Sequence, residues 1–355
     1  MSEKIVMLTG GSGFVGQLLQ VGLRQHGYGV RLFDRYRGTA ITLLRRPYLA
    51  TSRSPVGRAA ALQIRKLQRK VSIRLLGGPL LRPTTDNILD LRSVLAARFR
   101  GAYAVVHLAG IPHPFVPGAI DSDFQRINYD GSVNVFEAAK SIGVPKFLFA
   151  SSGQVYGINN PTRIDQFPII ESNYCPTLAD GQHMYGLLKL KFEQYLAGAC
   201  AAGGTQGISL RMEYPGFQSD NPNNFYTSTS VENLVSGVVC ALENSADFRF
   251  ETFNLVDGHV DERIVDVQQF IRTRWPAVPN FSKGNESLIS VAKAGALLGY
   301  NPIRNGSYIQ QSLVWRAADE AANGANGVAK LIARCLKIKF KITHPFCGLK
   351  ARFRH

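Results

Sequence analysis

Cysteine is scarce and scattered in this chain: five in 355 residues, at Cys175, Cys200, Cys240, Cys335 and Cys347. None forms a C-x-x-C pair and none has a histidine at ligand spacing, which excludes a disulfide framework and a structural zinc site and points to a reducing compartment. No apolar run reaches the roughly 20 residues that span a bilayer. An apolar strand begins within four residues of Met1 and leaves no room for a signal or transit peptide, so a cytoplasmic location is expected. Internal repeats and low-complexity tracts are absent as well. Acid is missing from two stretches: residues 35–82 hold twelve Arg or Lys and residues 330–355 hold eight, with no Asp or Glu in either. These stretches account for all of the formal +16 and leave the remainder mildly acidic. They lack a recognition helix, which argues against specific nucleic-acid binding. They read as a solvated basic insertion at about 38–82 and a basic C-terminal tail at 321–355, with weak contact to an anionic membrane surface as the functional alternative. Within the insertion, Leu62, Leu67 and Val71 stand among Arg65, Lys66, Arg69 and Lys70, the pattern of a basic amphipathic helix.

What is present early is glycine. "TGGSGFVG" (9–16) follows the apolar run Ile5–Leu8 and precedes a segment that places Val15, Leu18, Leu19 and Leu23 on one helical face. A strand is thereby joined to a helix through Gly10, Gly11, Ser12, Gly13, Phe14, Val15 and Gly16, a stretch dominated by glycine. The spacing satisfies G-x-G-x-x-G from Gly11 and G-x-x-G-x-x-G from Gly10. Such a junction lets a pyrophosphate approach the first helical amides, whose unpaired N–H groups and dipole favour an anion. A second apolar strand, "VRLF", ends at Asp34, where a carboxylate accepts hydrogen bonds from an adenosine ribose. Asp34 favours NAD over NADP, because a 2′-phosphate would meet its charge; Arg35 and Arg37 blur that preference.

Beyond the insertion, strand and helix patterns alternate: a strand at 104–110, a helix at 119–142, a strand at 146–152, a helix at 183–202 and a strand at 208–214. Alternation of this kind predicts an α/β fold, a doubly wound parallel sheet of Rossmann type. The expected organisation is a dinucleotide-binding domain over 1–215 carrying the insertion, and a smaller substrate lobe over 216–320 to which core strands and helices can return. Trp275 and Trp315 are read as lobe-packing residues.

Two segments carry chemistry. In "MYGLLK", Tyr185 and Lys189 stand four apart on one helical face, and an ammonium near a phenol favours the phenolate, moving it toward a usable general base. In "ASSGQVYG", Ser151 and Ser152 end a strand at the carboxyl edge of the sheet, where open α/β folds place ligands. His107 reads as a strand residue that positions backbone, and His113 as either a substrate contact or an exposed loop residue.

The set "TGGSGFVG", "HLAG", "INYDGSVNVFEAA", "FASSGQVYG", "YGLLK" and "ISVAKAGALLGYNP" resembles the extended short-chain dehydrogenase/reductase family, the NAD-dependent sugar epimerases and dehydratases, over about residues 3–34 and 86–302. The resemblance implies that Tyr185 is the catalytic base, that Lys189 binds the nicotinamide ribose and lowers the tyrosine pKa, and that Ser152 orients substrate. It implies that Leu108, Ala109 and Gly110 line the adenosine side, that Asn128 positions its helix, and that Tyr214, Pro215 and Gly216 fall where a loop touches nicotinamide. Asp86 and Ala150 join the cofactor-facing set; His113, Gly153, Gln154 and Asn224 join Ser152 on the substrate side. The implied assembly is a homodimer through the helices at 119–142 and 183–202. Dehydratases of the family carry an Asp-Glu pair where this chain has Gly153 and Gln154, so elimination is not expected. An Arg-Asp segment that binds a substrate diphosphate is replaced by Tyr226 and Thr227, with Ser230 in place of the following histidine; Arg249, Arg263 or an insertion arginine are the substitutes considered. The implied activity is NAD-dependent, Tyr-assisted hydride transfer on a sugar or nucleotide-sugar hydroxyl, 4-epimerase-like. A uronate-type dehydrogenase that releases NADH is the alternative, and a non-catalytic dinucleotide-binding or membrane-surface scaffold is the reading from another class.

Overall fold

The computed structural model describes residues 3–37, 82–83, 86–114, 119–158, 163–304 and 306–308. The chain divides into two compact units, and every element below belongs to the one made of Met1–Tyr36, Thr84–Pro114 and Ile120–Ile309. The other, Arg37–Pro83, Phe115–Ala119 and Gln310–His355, contains the basic insertion and tail, which lie almost wholly outside the described residues, as does Trp315.

Six parallel strands form the sheet: β1 (Ile5–Thr9), β2 (Gly29–Phe33), β3 (Ala104–His107), β4 (Lys146–Ser152), β5 (Gln206–Met212) and β6 (Phe250–Leu255), in the order β2-β1-β3-β4-β5-β6. The central strands are nearly continuous apolar runs because both faces are covered. Alternate side chains divide between two cores. Val6, Leu8, Leu148, Ile208 and Leu210 pack with Leu19 and Leu23 of α1 (Phe14–Gln25), while Met7, Val105, Phe147 and Phe149 pack on the other side. There they meet Leu95 and Phe99 of α2 (Arg92–Phe99), Val135 and Phe136 of α3 (Gly131–Ser141), and Phe192 and Leu196 of α4 (Met184–Ala201). Each such side chain contributes about 1.5–3 kcal/mol on burial. Of the four residues expected on the inner face of α1, Leu19 and Leu23 are fully buried, whereas Val15 and Leu18 are only partly so, nearer the glycine turn.

Past residue 215, α5 (Val231–Glu243) packs into the first core and β6 completes the sheet beside β5, so the sheet draws on both sides of that position. The remainder, with α6 (Val267–Arg274), closes a third cluster in which Trp275 meets Phe167, Phe225 and Phe270, as a packing residue would. Also from this part, α7 (Ala292–Leu298) returns Ala294 and Leu298 to the first core.

Several elements depart from their sequence-predicted bounds. The strand expected to 110 stops at His107, where the backbone leaves the sheet to pass against Gly10. The helix expected over 119–142 is three pieces: Asp121–Phe124, a π-turn at Gln125–Asp130, and α3. The π-turn turns the Asn128 side chain inward, where it exchanges hydrogen bonds with the backbone of Ile111 at 2.7 and 3.0 Å. The last strand expected to 214 ends at Met212, which frees Glu213 and Tyr214 from the ladder.

The strongest tertiary tie between α4 and β5 is ionic. Arg211 and Glu193 are 5% and 3% exposed, and the guanidinium grips the carboxylate through Nη2 at 2.6 Å and Nε at 3.1 and 3.2 Å. Ser209 donates to the same carboxylate at 2.9 Å. Removing one partner leaves a buried charge without compensation, so Glu193→Ala is expected to lower stability by about 3–5 kcal/mol. Urea denaturation followed by circular dichroism measures this; a midpoint equal to the parent's would show that the pair does not hold α4 to β5.

Candidate active site

The sheet reverses direction of growth between β1 and β3, and the crevice at the carboxyl ends of those strands is the place where an open α/β sheet receives a ligand. The glycine turn lies there. Gly10 has φ +69°, and a β-carbon on it would stand 2.7 Å from the backbone nitrogen of Ala109. A β-carbon on Gly16 would stand 2.5 Å from the carbonyl oxygen of Gly11. Side chains are thus excluded where α1 begins at Gly13, whose lack of a side chain leaves the first helical turn uncapped from within. Asp34 is buried at the end of β2 and accepts from the Ser12 amide at 2.9 Å. Leu108 and Ala109 run along the opposite wall, with Gly110 against Asn128. A turn that only glycine can make, an uncapped helix start and a carboxylate beside them fit a dinucleotide.

Two predicted cofactor residues sit differently from the rest. Arg35 is exposed, and Asp86 is buried and paired with Arg98 at 2.8 Å. Phe14 stacks on Phe217 with centroids 4.4 Å apart, which lays the loop after β5 against the first turn of α1. That loop holds Tyr214 at φ 41°, Pro215 bridged to Thr229, and Gly216 at φ +80°.

His107 is a positioning residue, as its strand setting predicts. Ser132 donates to the Asn128 carbonyl at 2.6 Å, so its oxygen accepts from Nε2 of His107 at 2.8 Å, which leaves Nδ1 to accept from Thr9 at 2.6 Å. Burial, helped by Lys189, pushes this imidazole down to about 3, so it is neutral and ties Thr9 of β1 to Ser132 of α3. His113 is partly exposed in its loop.

The chemistry-bearing residues converge at the end of β4. Ser152 caps a short 3-10 turn, accepting from the Gln154 amide at 3.1 Å. Gln182 anchors the start of α4 to that turn, donating to the Gln154 and Val155 carbonyls at 2.8 and 3.3 Å, and Gly186 leaves the space this requires. Tyr185, in the first turn of α4, is thereby brought beside Ser152. Lys189 donates to the Ala150 carbonyl at 2.6 Å, and burial lowers its pKa to about 8. Its ammonium is 5.6 Å from the Tyr185 ring centroid. The expectation that lysine dominates the phenol needs correction. Burial raises the Tyr185 pKa most, a nearby carboxylate raises it further, and the Ser152 hydrogen bond lowers it.

That carboxylate belongs to Glu213, which sequence reasoning missed. It accepts from Ser152 at 3.0 Å and lies 3.5 Å from the Gln154 side-chain nitrogen. The absence of a side chain at Gly153 makes room for it: a β-carbon there would be 2.8 Å from Cγ of Glu213. Burial raises its pKa to about 7 against the hydrogen bonds that favour its charge. The sequence signal was an acid directly after an apolar strand, "ISLRMEY", which parallel pairing with β4 brings to the edge that holds Ser152.

On the substrate side, Asn224 is buried with its amide engaged inside its own loop, by Ser219 at 2.6 Å and Thr227 at 3.4 Å. Ser230 is bound to Asp257 through its amide and hydroxyl. Two of the substitute arginines are placed elsewhere. Arg263 is exposed and paired with Asp261 at 2.6 Å, and Arg249 precedes β6 beside Gly203, at the amino edge of the sheet. The insertion arginines lie outside the described residues. No group of histidine, cysteine and acidic residues suited to a metal occurs among the described residues.

A buried carboxyl with a raised pKa keeps its proton in the folded state between about 4.5 and 7, where the unfolded chain has lost it. Stability of the parent therefore falls as pH rises through that window. Glu213→Gln escapes the fall, so its advantage over the parent should grow from near zero below pH ~5 to about 3 kcal/mol above pH ~7. Paired melting curves at the two ends of the window measure it; a pH-independent difference would show that Glu213 ionises normally.

The profile of the NAD dependent epimerase/dehydratase family matches residues 6–228. A UDP-glucose 4-epimerase of Schizosaccharomyces pombe is 28% identical over 195 residues, 55% of this chain and 46% of that protein. The chain spans about half the length of the curated relatives it matches. Among solved structures, a UDP-glucose-4-epimerase from Stenotrophomonas maltophila with bound NAD and formylated UDP-arabinopyranose superposes with TM-score 0.58 at 22% identity, covering 89% of this chain and all of that one. A mutated uronate dehydrogenase superposes with TM-score 0.54 at 16% identity, covering 92% of this chain and 88% of that one. These likenesses show the Rossmann-type fold, and the profile match over most of the sheet shows the family: the chain belongs to the NAD dependent epimerase/dehydratase family.

Proposed function

We propose that the protein is an NAD-dependent epimerase that acts on a sugar hydroxyl of a nucleotide-sugar. The observation that carries this reading is the docking of the start of α4, with Tyr185 one helical turn from Lys189, on the turn that follows Ser152 at the carboxyl edge of β4, the same edge as the glycine turn. In this reading Tyr185 removes the hydroxyl proton, Ser152 orients the substrate oxygen, and Lys189 holds the ribose beside them. NAD supplies the hydride acceptor when bound. Gly10–Gly16, Asp34, Leu108–Gly110 and Asn128 form its seat, with Ala150 and the Tyr214–Pro215 loop toward the reacting end.

A second reading is favoured by one specific feature. Tyr226 and Thr227 stand in place of a phosphate-binding arginine, and Arg249 and Arg263 do not replace it. A free sugar acid oxidised by a uronate-type dehydrogenase suits such a loop, and a uronate dehydrogenase is among the similar folds. The assay that separates the two gives the purified protein UDP-glucose, UDP-glucuronic acid and free uronic acids in turn. Epimer formation without accumulation of NADH supports the epimerase; stoichiometric NADH supports the dehydrogenase; neither with any of these substrates refutes both.

The finer parts of the reading are a homodimer formed through α3 and α4, a cytoplasmic setting, and contact of the basic segments with an anionic surface. No helix among the described residues is long and apolar enough to cross a membrane.

Tyr185→Phe is expected to retain fold and NAD binding and to lose turnover by roughly two to four orders of magnitude; steady-state activity within threefold of the parent would remove Tyr185 from the role of base. Asp34→Ala is expected to weaken NAD by roughly tenfold or more and NADP far less, since a charge-assisted hydrogen bond to the ribose is lost only with NAD. Calorimetric titration with both nucleotides checks it, and an unchanged ratio of affinities would move the discrimination to Arg35 and Arg37.

A further inference from the structure

Ser152 has one hydroxyl hydrogen and three neighbours that compete to define its direction. The Gln154 amide at 3.1 Å is a donor and can only give a hydrogen to Oγ. The Glu213 carboxylate at 3.0 Å is an acceptor and takes the hydroxyl hydrogen. The third neighbour is the Tyr185 phenol. With Glu213 ionised, the Ser152 oxygen offers the phenol only lone pairs, an arrangement that suits a protonated tyrosine and opposes a phenolate. With Glu213 protonated, its own O–H turns to Ser152 and the serine hydrogen becomes free to donate to the phenolate oxygen.

We propose that Glu213 is a positioning residue for proton transfer: through Ser152 it sets whether the site holds Tyr185 as a phenol or accommodates it as a phenolate. The exchange balances. The Tyr185 O–H bond breaks as a new O–H bond forms on Ser152, and the serine's original O–H bond breaks as one forms on Glu213. The trio carries one negative charge before and after, with a carboxylate replaced by a phenolate.

The setting is built for this acid. Gly153 supplies the space, Ser152 and the Gln154 side chain bind the carboxylate, and the group is 4% exposed. The other charged or titratable groups around it are already committed. From α4, Lys189 donates to Ala150 and Glu193 is bound by Arg211; from β5, Arg211 is held by Glu193 and the Glu171 carbonyl; from β3, His107 is neutral. Tyr156, from the turn after β4, donates to Asn254 at 2.8 Å. Glu213 and Lys189 are thus the groups left to respond to pH beside the phenol; of the two, Glu213 shares the Ser152 hydroxyl, and burial brings its titration near pH 7.

The inference rests on Tyr185 being the base, and its test needs no substrate, so it fails or stands separately from the proposed activity. Tyrosinate absorbance is titrated in the full-length protein with NAD present, and subtraction of the same titration for Tyr185→Phe isolates one phenol among thirteen tyrosines. Glu213→Gln, which keeps the shape and removes the charge, should bring the Tyr185 titration ~1–2 pH units lower. Glu213→Asp, which restores a carboxylate, should bring it back toward the parent. The same comparison is made with Ser152→Ala in both backgrounds, as a double-mutant cycle. The shift should shrink by at least half if the coupling runs through the hydroxyl. An unmoved Tyr185 titration in Glu213→Gln overturns the proposal, and so does a shift of undiminished size without the serine hydroxyl. Should Glu213→Gln not fold, Glu213→Ala against the parent provides the comparison: it removes the carboxylate, and a Tyr185 titration identical to the parent's then overturns the proposal.

Discussion

A guanidinium and a carboxylate buried together between β5 and α4 fix the spacing on which the site depends. Arg211 is the penultimate residue of its strand, and Glu193 lies about two turns beyond Tyr185 in the helix that begins at Met184. Their bidentate contact sets both the height and the rotation of α4 over the sheet, because a planar fork tolerates little displacement. Tyr185 is thereby held over Ser152, and Glu213, two residues beyond Arg211, is delivered to the same place from the neighbouring strand. The smaller ties agree with this geometry: Gln182 fastens the start of α4, while Tyr195 and Lys140 fasten its middle and end to α3.

The electrostatics of the site follow from burial more than from pairing. Tyr185, Lys189 and Glu213 are each removed from water, and each is shifted toward its neutral form for that reason first. A phenol, an amine and a carboxyl that all resist charge form a site whose proton inventory is small and shared. Water-exposed groups of the same types would titrate independently. Here the hydroxyl of Ser152 couples two of them, and the neutral His107 below adds no charge of its own.

The cofactor crevice has a different basis. It is made by exclusion of side chains, since Gly10, Gly11 and Gly16 each lie where a β-carbon would strike a neighbour. The crevice and the group of Ser152, Tyr185, Lys189 and Glu213 meet because both occupy the carboxyl edge of one parallel sheet. The π-turn serves both, bracing the Gly110–Ile111 wall through Asn128 while Phe124, just before it, lies edge-on to Tyr185.

Much was legible in the chain itself. Apolar runs of strand length, the 3.6-residue pattern of α1, the glycine turn, Asp34 after the second strand, and the four-residue spacing of Tyr185 and Lys189 are local properties, set by backbone sterics and side-chain periodicity within a few residues. They determined the α/β class, the parallel sheet and the side-chain-free turn at its carboxyl edge. Local rules do not say which strand lies beside which at what register, and that is where the reading fell short. The carboxylate of Glu213 is separated from Ser152 by 61 residues and becomes its partner only because β5 pairs with β4 so that Met212 stands opposite Ser152. The same holds for Asp86, paired with Arg98, and for Arg249, which parallel strand direction sends to the far edge. Sequence determined the kinds of groups available. Tertiary structure alone decided which of them are desolvated together, because proximity and loss of water are properties of the packed sheet and not of any stretch within it.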